Sequence, residues 1–247
     1  YIKGVKAANP NMACTAKHFP GDGVEELDQH LVMGVNNLSV DEWEESFGKV
    51  YRTLIDEGLE TIMVGHIALP EMSRKLVPGI EDKDIKPATL SKELLTDLLR
   101  EDMNFNGLVI TDASHMVGMS ATSKRCDAVP GAIIAGCDMF LFANDIAEDM
   151  AYVRKAYEDG LLTEERLEEA VRRILGMKAH LNLTDESVII PDKKELDNIG
   201  CDAHRECAKK AVDECITLVK DTYKNLPVNP DEKERVFLVY VGSTPTT

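Results

Sequence analysis

The chain has 247 residues, 44% hydrophobic and 29% charged, enough apolar material for one large domain or two small ones. With 28 basic against 44 acidic residues its formal net charge is −16, a field that repels phosphate backbones and argues against nucleic acid as a partner. No run approaches the ~18 apolar residues that span a bilayer, so no membrane association is expected.

The apolar run Met12 to Ala16 predicts a strand near 12–17. It delivers Lys17-His18-Phe19-Pro20-Gly21-Asp22-Gly23 and then Asp28-Gln29-His30 into a glycine-rich loop. Ser39-Val40-Asp41-Glu42 reads as a capping box opening a helix through Trp43, Phe47, Val50, Tyr51 and Leu54, closed by Gly58. Trp43 and Phe47 hold helical core spacing, which argues against a ligand platform. A second strand, near 61–65, precedes His66, and Ser91 starts a helix through Leu94, Leu95, Leu98 and Leu99. The third strand, 108–112, ends at Asp112 in Thr111-Asp112-Ala113-Ser114-His115-Met116. Pro130 suits the first turn of a short helix that stops at Gly136, ahead of a fourth strand at 139–142. Helices from about Asp145 to Glu158 and from Glu164 to Ala179, the latter capped by Thr163, complete this part.

After Leu183 the pattern changes. Residues 184–202 read as a polar linker. A helix from about Ala203 to Lys220 is expected to bury Cys207, Ala211, Val212, Cys215, Ile216 and Val219, and a strand is expected at Val236 to Val241. One helix and one strand cannot enclose a core, so residues 203–247 read as the incomplete beginning of a second domain. The six cysteines, at 14, 126, 137, 201, 207 and 215, include no C-x-x-C, match no zinc spacing and are expected to be reduced, mostly packed thiols of a cytoplasmic protein.

Short apolar strands alternating with amphipathic helices predict an α/β fold with a parallel sheet. Four βα units are half of the eight in a TIM-type (β/α)8 barrel, whose chemistry gathers on the loops after the strands. Two polar clusters sit at such positions. In an extended loop residues i and i+2 point the same way, so Asp28 can hold the imidazole of His30 and make it a general acid/base; the plain alternative is a solvated loop with two chance charges. Asp112 stands where a barrel strand presents a carboxylate able to attack an anomeric carbon; it could equally cap the next turn. His66 and His115 are each open between a substrate contact and a hydrogen-bonded structural role. The set His18, Asp22, His30, His66, Asp112 and His115 also allows a metal-dependent barrel hydrolase, but no strand carries an H-x-H pair and Lys17 would oppose a cation.

At these residues the chain resembles glycoside hydrolase family 3, in its β-N-acetylglucosaminidase-type branch. The resemblance rests on Lys17 to Gly23, Asp28 with His30, and Thr111 to Met116, in that order. It covers about Tyr1 to Leu183, and Ala208 to Val241 is similar to the entry into that family's α/β sandwich domain. The resemblance implies a retaining glycosidase that needs no cofactor, acting on β-linked N-acetylglucosaminides. Asp112 would be the nucleophile, His30 the acid/base supported by Asp28, and Lys17 and His18 substrate-binding groups; His66, from its strand-end position, is the further substrate-binding candidate. Histidine, with an ordinary pKa of ~6.5, repels an incoming anion less than a carboxylate does, so phosphate could replace water as acceptor. A β-glucosidase-type relative and a non-catalytic sugar-binding fragment are the alternatives. The family's first four barrel strands are absent, so the chain alone is expected to be inactive, or to need a complementary chain or self-association to cover an open half barrel.

Overall fold

The computed structural model describes residues 1–185, 192–224, 226–229, 235, 237 and 239. Its strands are β1 (Thr15–Phe19), β2 (Gly34–Val35), β3 (Thr61–Val64), β4 (Ile67–Ala68), β5 (Leu108–Ala113) and β6 (Met139–Leu141). Helices are α1 (Ile2–Ala8), α2 (Val40–Trp43), α3 (Lys49–Asp56), α4 (Pro70–Leu76), α5 (Val117–Ser120), α6 (Arg125–Ala135), α7 (Ile146–Glu158) and α8 (Glu164–His180). A π-helical segment, Glu44–Gly48, joins α2 to α3 without a break, and a second one, Glu93–Asp102, precedes β5.

Four strands form an all-parallel sheet in the order β1-β3-β5-β6, as the alternation of strands and helices predicts. Parallel pairing sends every strand's C-terminal end to one rim. Side chains alternate between faces, so Ile62, Val64 and Val109 share the face that packs on Leu94, Leu95, Leu98 and Leu99. The opposite face carries one register row, Lys17–Met63–Ile110–Met139, whose members are all at least partly exposed. Asp112 follows Ile110 on that open face.

The turn after β1 is clamped from below. Ser39 accepts from the Glu42 N–H at 3.3 Å and Glu42 Oε2 accepts from the Ser39 N–H at 2.9 Å, the capping box expected there. It starts α2 so that Trp43 is fully buried, edge-on to Phe19 at 6.4 Å, with its indole N–H donating to the Pro20 carbonyl at 2.8 Å. Gly21 has φ +143°, and a Cβ there would lie 2.5 Å from the Phe47 ring, so only glycine fits beneath this turn.

Several expectations need correcting. β1 starts at Thr15 rather than near 12 and runs on past Lys17 to Phe19, because Phe19 is fully buried between Trp43 and Tyr51; His18 is a strand residue, not a loop residue. Pro130 lies inside α6 rather than in its first turn: Arg125, anchored to Asp149 at 2.7 Å and to the Ser114 hydroxyl at 3.1 Å, starts the helix earlier. The two-residue ladder of β2 with β4 is too short to leave a periodic signal. No helix among the described residues is long and apolar enough to cross a membrane.

The chain divides into two compact units, Tyr1–Ile189 and Ile190–Thr247. In the second, the helix spans Asp202–Cys215 and stops short of Lys220; Cys207, Ala211, Val212, Cys215, Ile216 and Val219 are all exposed, so the burial expected of them is absent among the described residues. The thiols are correspondingly less packed than expected: Cys137 is buried, Cys14 and Cys201 are half-buried, and Cys126, Cys207 and Cys215 are exposed. The expected strand Val236 to Val241 lies largely outside the described residues.

Candidate active site

The loops after β1, β3 and β5 meet at the C-terminal rim. Asp112 is the fifth of six residues in β5, partly buried, with its Oδ1 accepting from the Ala113 N–H at 2.7 Å. Its other oxygen faces His18, whose Nε2 lies 3.3 Å from Asp112 Oδ2. On the far side of the same ring, Nδ1 stands 3.2 Å from Asp22 Oδ2. His18 is thus held between two carboxylates, a contact that the motif's spacing alone does not disclose.

The Asp28–His30 pair forms as the i, i+2 geometry requires. Asp28 Oδ1 accepts the His30 backbone N–H at 2.9 Å and lies 2.7 Å from His30 Nδ1. These two bonds, backbone first, hold the Asp28 carboxyl below its ordinary range. With Nδ1 bound to the carboxylate, Nε2 is the nitrogen left to meet a ligand. Both side chains are exposed, at 59% for Asp28 and 67% for His30.

Two backbone bonds sew this loop to the segment after Asp112. The Val117 N–H donates to the His30 carbonyl at 3.2 Å and the Gly118 N–H to the Gln29 carbonyl at 3.1 Å. Gly118 permits that approach, since a Cβ there would sit 2.8 Å from the Gln29 oxygen and 2.8 Å from His66 Cβ. The strand-end aspartate and the Asp28–His30 pair therefore share one rim.

His66 is fully buried and engaged at both ring nitrogens: Nε2 lies 3.0 Å from the Ala113 carbonyl, and Nδ1 lies 2.9 Å from the Thr89 hydroxyl oxygen, which itself donates to the Gly65 carbonyl at 2.9 Å. Burial pushes its pKa down; Ala113 and Asp112 oppose that shift, while His18 and His30 add to it. Of the two readings open for His66, this geometry fits the hydrogen-bonded structural one, in which the ring braces the ends of β3 and β5. Thr89, 23 residues away and part of no motif, gives no sequence signal for this bond. Lys17 stands exposed on the open sheet face, in the register row below Asp112. His115 is exposed beside Phe142, with ring centroids 5.8 Å apart. No group of three or more His, Cys, Asp or Glu among the described residues is arranged to hold a metal ion.

A concavity of about 600 Å³ adjoins β1, lined by Lys17, His18, Asp22, Phe47 and Tyr51 among others. A second, of about 710 Å³, lies at the opposite ends of the strands, beside Glu60, Leu108, Arg173 and His180, away from Asp112.

Residues 1–177 match the model of the glycosyl hydrolase family 3 N-terminal domain. The chain belongs to glycosyl hydrolase family 3. Within that family it is 46% identical over 240 residues to a β-N-acetylglucosaminidase/β-glucosidase of Cellulomonas fimi, covering 97% of this chain and 42% of that protein. A β-hexosaminidase of Hydrogenovibrio crunogenus is 32% identical over 74% of this chain and 46% of its own length. Among solved structures, a β-glucoside phosphorylase, BglX, superposes with a TM-score of 0.82 at 44% identity, covering 92% of this chain and 40% of that one. A family 3 β-N-acetylglucosaminidase from Paenibacillus sp. gives 0.67 at 25% identity, over 78% and 35%. The chain thus spans between about a third and a half of the length of these family 3 relatives.

Proposed function

We propose that this family 3 chain carries the reacting groups of a retaining β-glycosidase acting on N-acetylglucosaminides. Asp112 attacks the anomeric carbon and forms the glycosyl ester, while His30, aligned by Asp28, gives its proton to the departing glycosidic oxygen. In the second half of the cycle the neutral imidazole takes a proton from water, which attacks the same carbon and releases Asp112. Lys17 and His18 contact sugar hydroxyls. The observation that supports this reading is the pair of backbone bonds from Val117 and Gly118 to His30 and Gln29, which ties the loop of His30 to the segment after Asp112.

A second acceptor is favoured by the likeness to the β-glucoside phosphorylase. Phosphate attacking the ester in place of water would yield a sugar 1-phosphate. The test is NMR of the first-formed products from an aryl β-N-acetylglucosaminide, with and without phosphate. Retained configuration is expected, with sugar 1-phosphate appearing only if phosphate is the acceptor. An inverted first product would overturn the covalent mechanism.

Residues 1–183 are read as four βα units of a (β/α)8 barrel, 184–202 as a connector and 203–247 as the beginning of an α/β sandwich domain. Supporting the barrel, β1 and β6 are each paired on one side only among the described residues. A complementary chain or self-association would cover the open face.

A further inference from the structure

We propose that Gln29 is a positioning residue that couples the acid/base loop to the nucleophile, an inference that rests on the roles proposed above for His30 and Asp112. Gln29 lies between the two residues of the catalytic pair, yet unlike them it is buried, with 6% of its surface exposed. Its amide is used at both ends. Nε2 donates to Asp22 Oδ2 at 3.3 Å, and Oε1 accepts the His66 backbone N–H at 2.8 Å. Its carbonyl accepts from the Gly118 N–H at 3.1 Å. One residue thus joins the loops that follow β1 and β3 through its side chain and the segment after β5 through its backbone carbonyl.

The Asp22 end extends this link to the reaction centre. Asp22 Oδ2 also meets His18 Nδ1 at 3.2 Å, and His18 Nε2 meets Asp112 Oδ2 at 3.3 Å. A path of polar contacts, one hydrogen bond and two close His18–carboxylate approaches, therefore runs Gln29–Asp22–His18–Asp112. Asp28 and His30 are themselves largely exposed and have little packing of their own. Gln29 is the buried anchor between them, so its bonds decide where the imidazole stands relative to the anomeric carbon. Small displacements of an acid/base group cost rate out of proportion to their energy.

The test uses the full-length gene product and two substrates, aryl β-N-acetylglucosaminides with a dinitrophenolate and with a methoxyphenolate leaving group. Dinitrophenolate departs without a proton, so misalignment of the acid is felt only with methoxyphenolate. Gln29→Met, which removes both side-chain bonds, is expected to lower kcat/KM for the methoxyphenyl substrate about tenfold to a hundredfold more than for the dinitrophenyl one, part of the roughly 10²–10⁴-fold that general-acid catalysis contributes. Gln29→Glu keeps the size and the acceptor for His66 while replacing the donor to Asp22 with a second carboxylate, and the same imbalance is expected in this near-isosteric variant. Equal losses on both substrates, or none, would overturn the proposal and leave Gln29 a structural residue. His30→Ala run alongside separates the two claims. If His30→Ala shows the imbalance and neither Gln29 variant does, the coupling fails and the acid/base assignment stands. If His30→Ala lacks it, both fall.

Discussion

Asp138 offers the most demanding test of how the nucleophile's strand is held. Its carboxylate has no exposed surface and binds three arginines: Arg100 at 2.6 Å, Arg166 at 2.7 Å and Arg173 at 3.4 Å. It also accepts the Val109 N–H at 2.9 Å, three residues before Asp112. Asp138→Ala strands the Arg100 guanidinium, only 11% exposed, without a counter-charge, and leaves Arg166, 14% exposed, with Glu169 alone at 3.2 Å. Breaking a buried pair from one side costs about 3–5 kcal/mol. Arg100 keeps the Phe105 carbonyl at 3.0 Å and Arg166 the Ile133 carbonyl at 3.0 Å, which places the expected loss near the lower end. Asp138→Asn retains an acceptor for Val109 and forfeits only charge assistance, so about 2 kcal/mol is expected. Against a total stability of roughly 5–15 kcal/mol the alanine change is severe. With a urea m-value of about 2 kcal/mol/M it moves the midpoint down by about 1.5–2 M, read by far-UV circular dichroism on the full-length gene product. A shift under about 0.5 M for Asp138→Ala would mean that the three arginines reach solvent, and would refute the buried-cluster reasoning.

Because burial lowers the His66 pKa, the unfolded chain takes up a proton near pH 6.5 before the folded one does. Stability should therefore fall as pH drops below about 6.5 towards the folded pKa, by at most ~1.4 kcal/mol per pH unit; denaturation curves between pH 5 and 7 should lose that slope in His66→Gln. Gly118→Ala forces a methyl into the 2.8 Å contacts with Gln29 and His66, and kcat/KM should drop by about tenfold or more as the loops part. Unchanged kinetics there would show that the loops need not touch. The 247-residue chain assayed alone should not turn over an aryl β-N-acetylglucosaminide, because the Lys17–Met63–Ile110–Met139 row is left uncovered; appreciable turnover would show that four βα units suffice.

The parallel sheet was readable because three of its strands are short apolar runs bounded by turn residues, and the Ser39 box and the Thr163 cap announce their helices directly. The strand predicted near 12–17 ends before His18 because that residue is polar, and only the tertiary burial of Phe19 draws it into β1. The Asp28–His30 pairing follows from two-residue spacing in an extended loop. The His18 bridge does not, since Asp22 and Asp112 converge only after the sheet brings β1 and β5 to one rim. Gln29 went unread for a related reason: a glutamine between two ionisable residues carries no pattern, and its role comes from partners 7 and 37 residues away. In the C-terminal helix, helical spacing of Cys207, Val212 and Cys215 suggested a buried face, but amphipathicity indicates which face can be covered, not that it is.

The covalent step itself is the claim to test most directly. Incubating the full-length gene product with a fluorinated β-glycoside whose glycosyl ester hydrolyses slowly, followed by peptide mass spectrometry, reads the attacking atom without assuming a rate. The adduct is expected on Asp112, lost in Asp112→Asn and unchanged in site in His30→Ala. Stoichiometric labelling of any other carboxylate, or turnover without any adduct, would contradict the assignment.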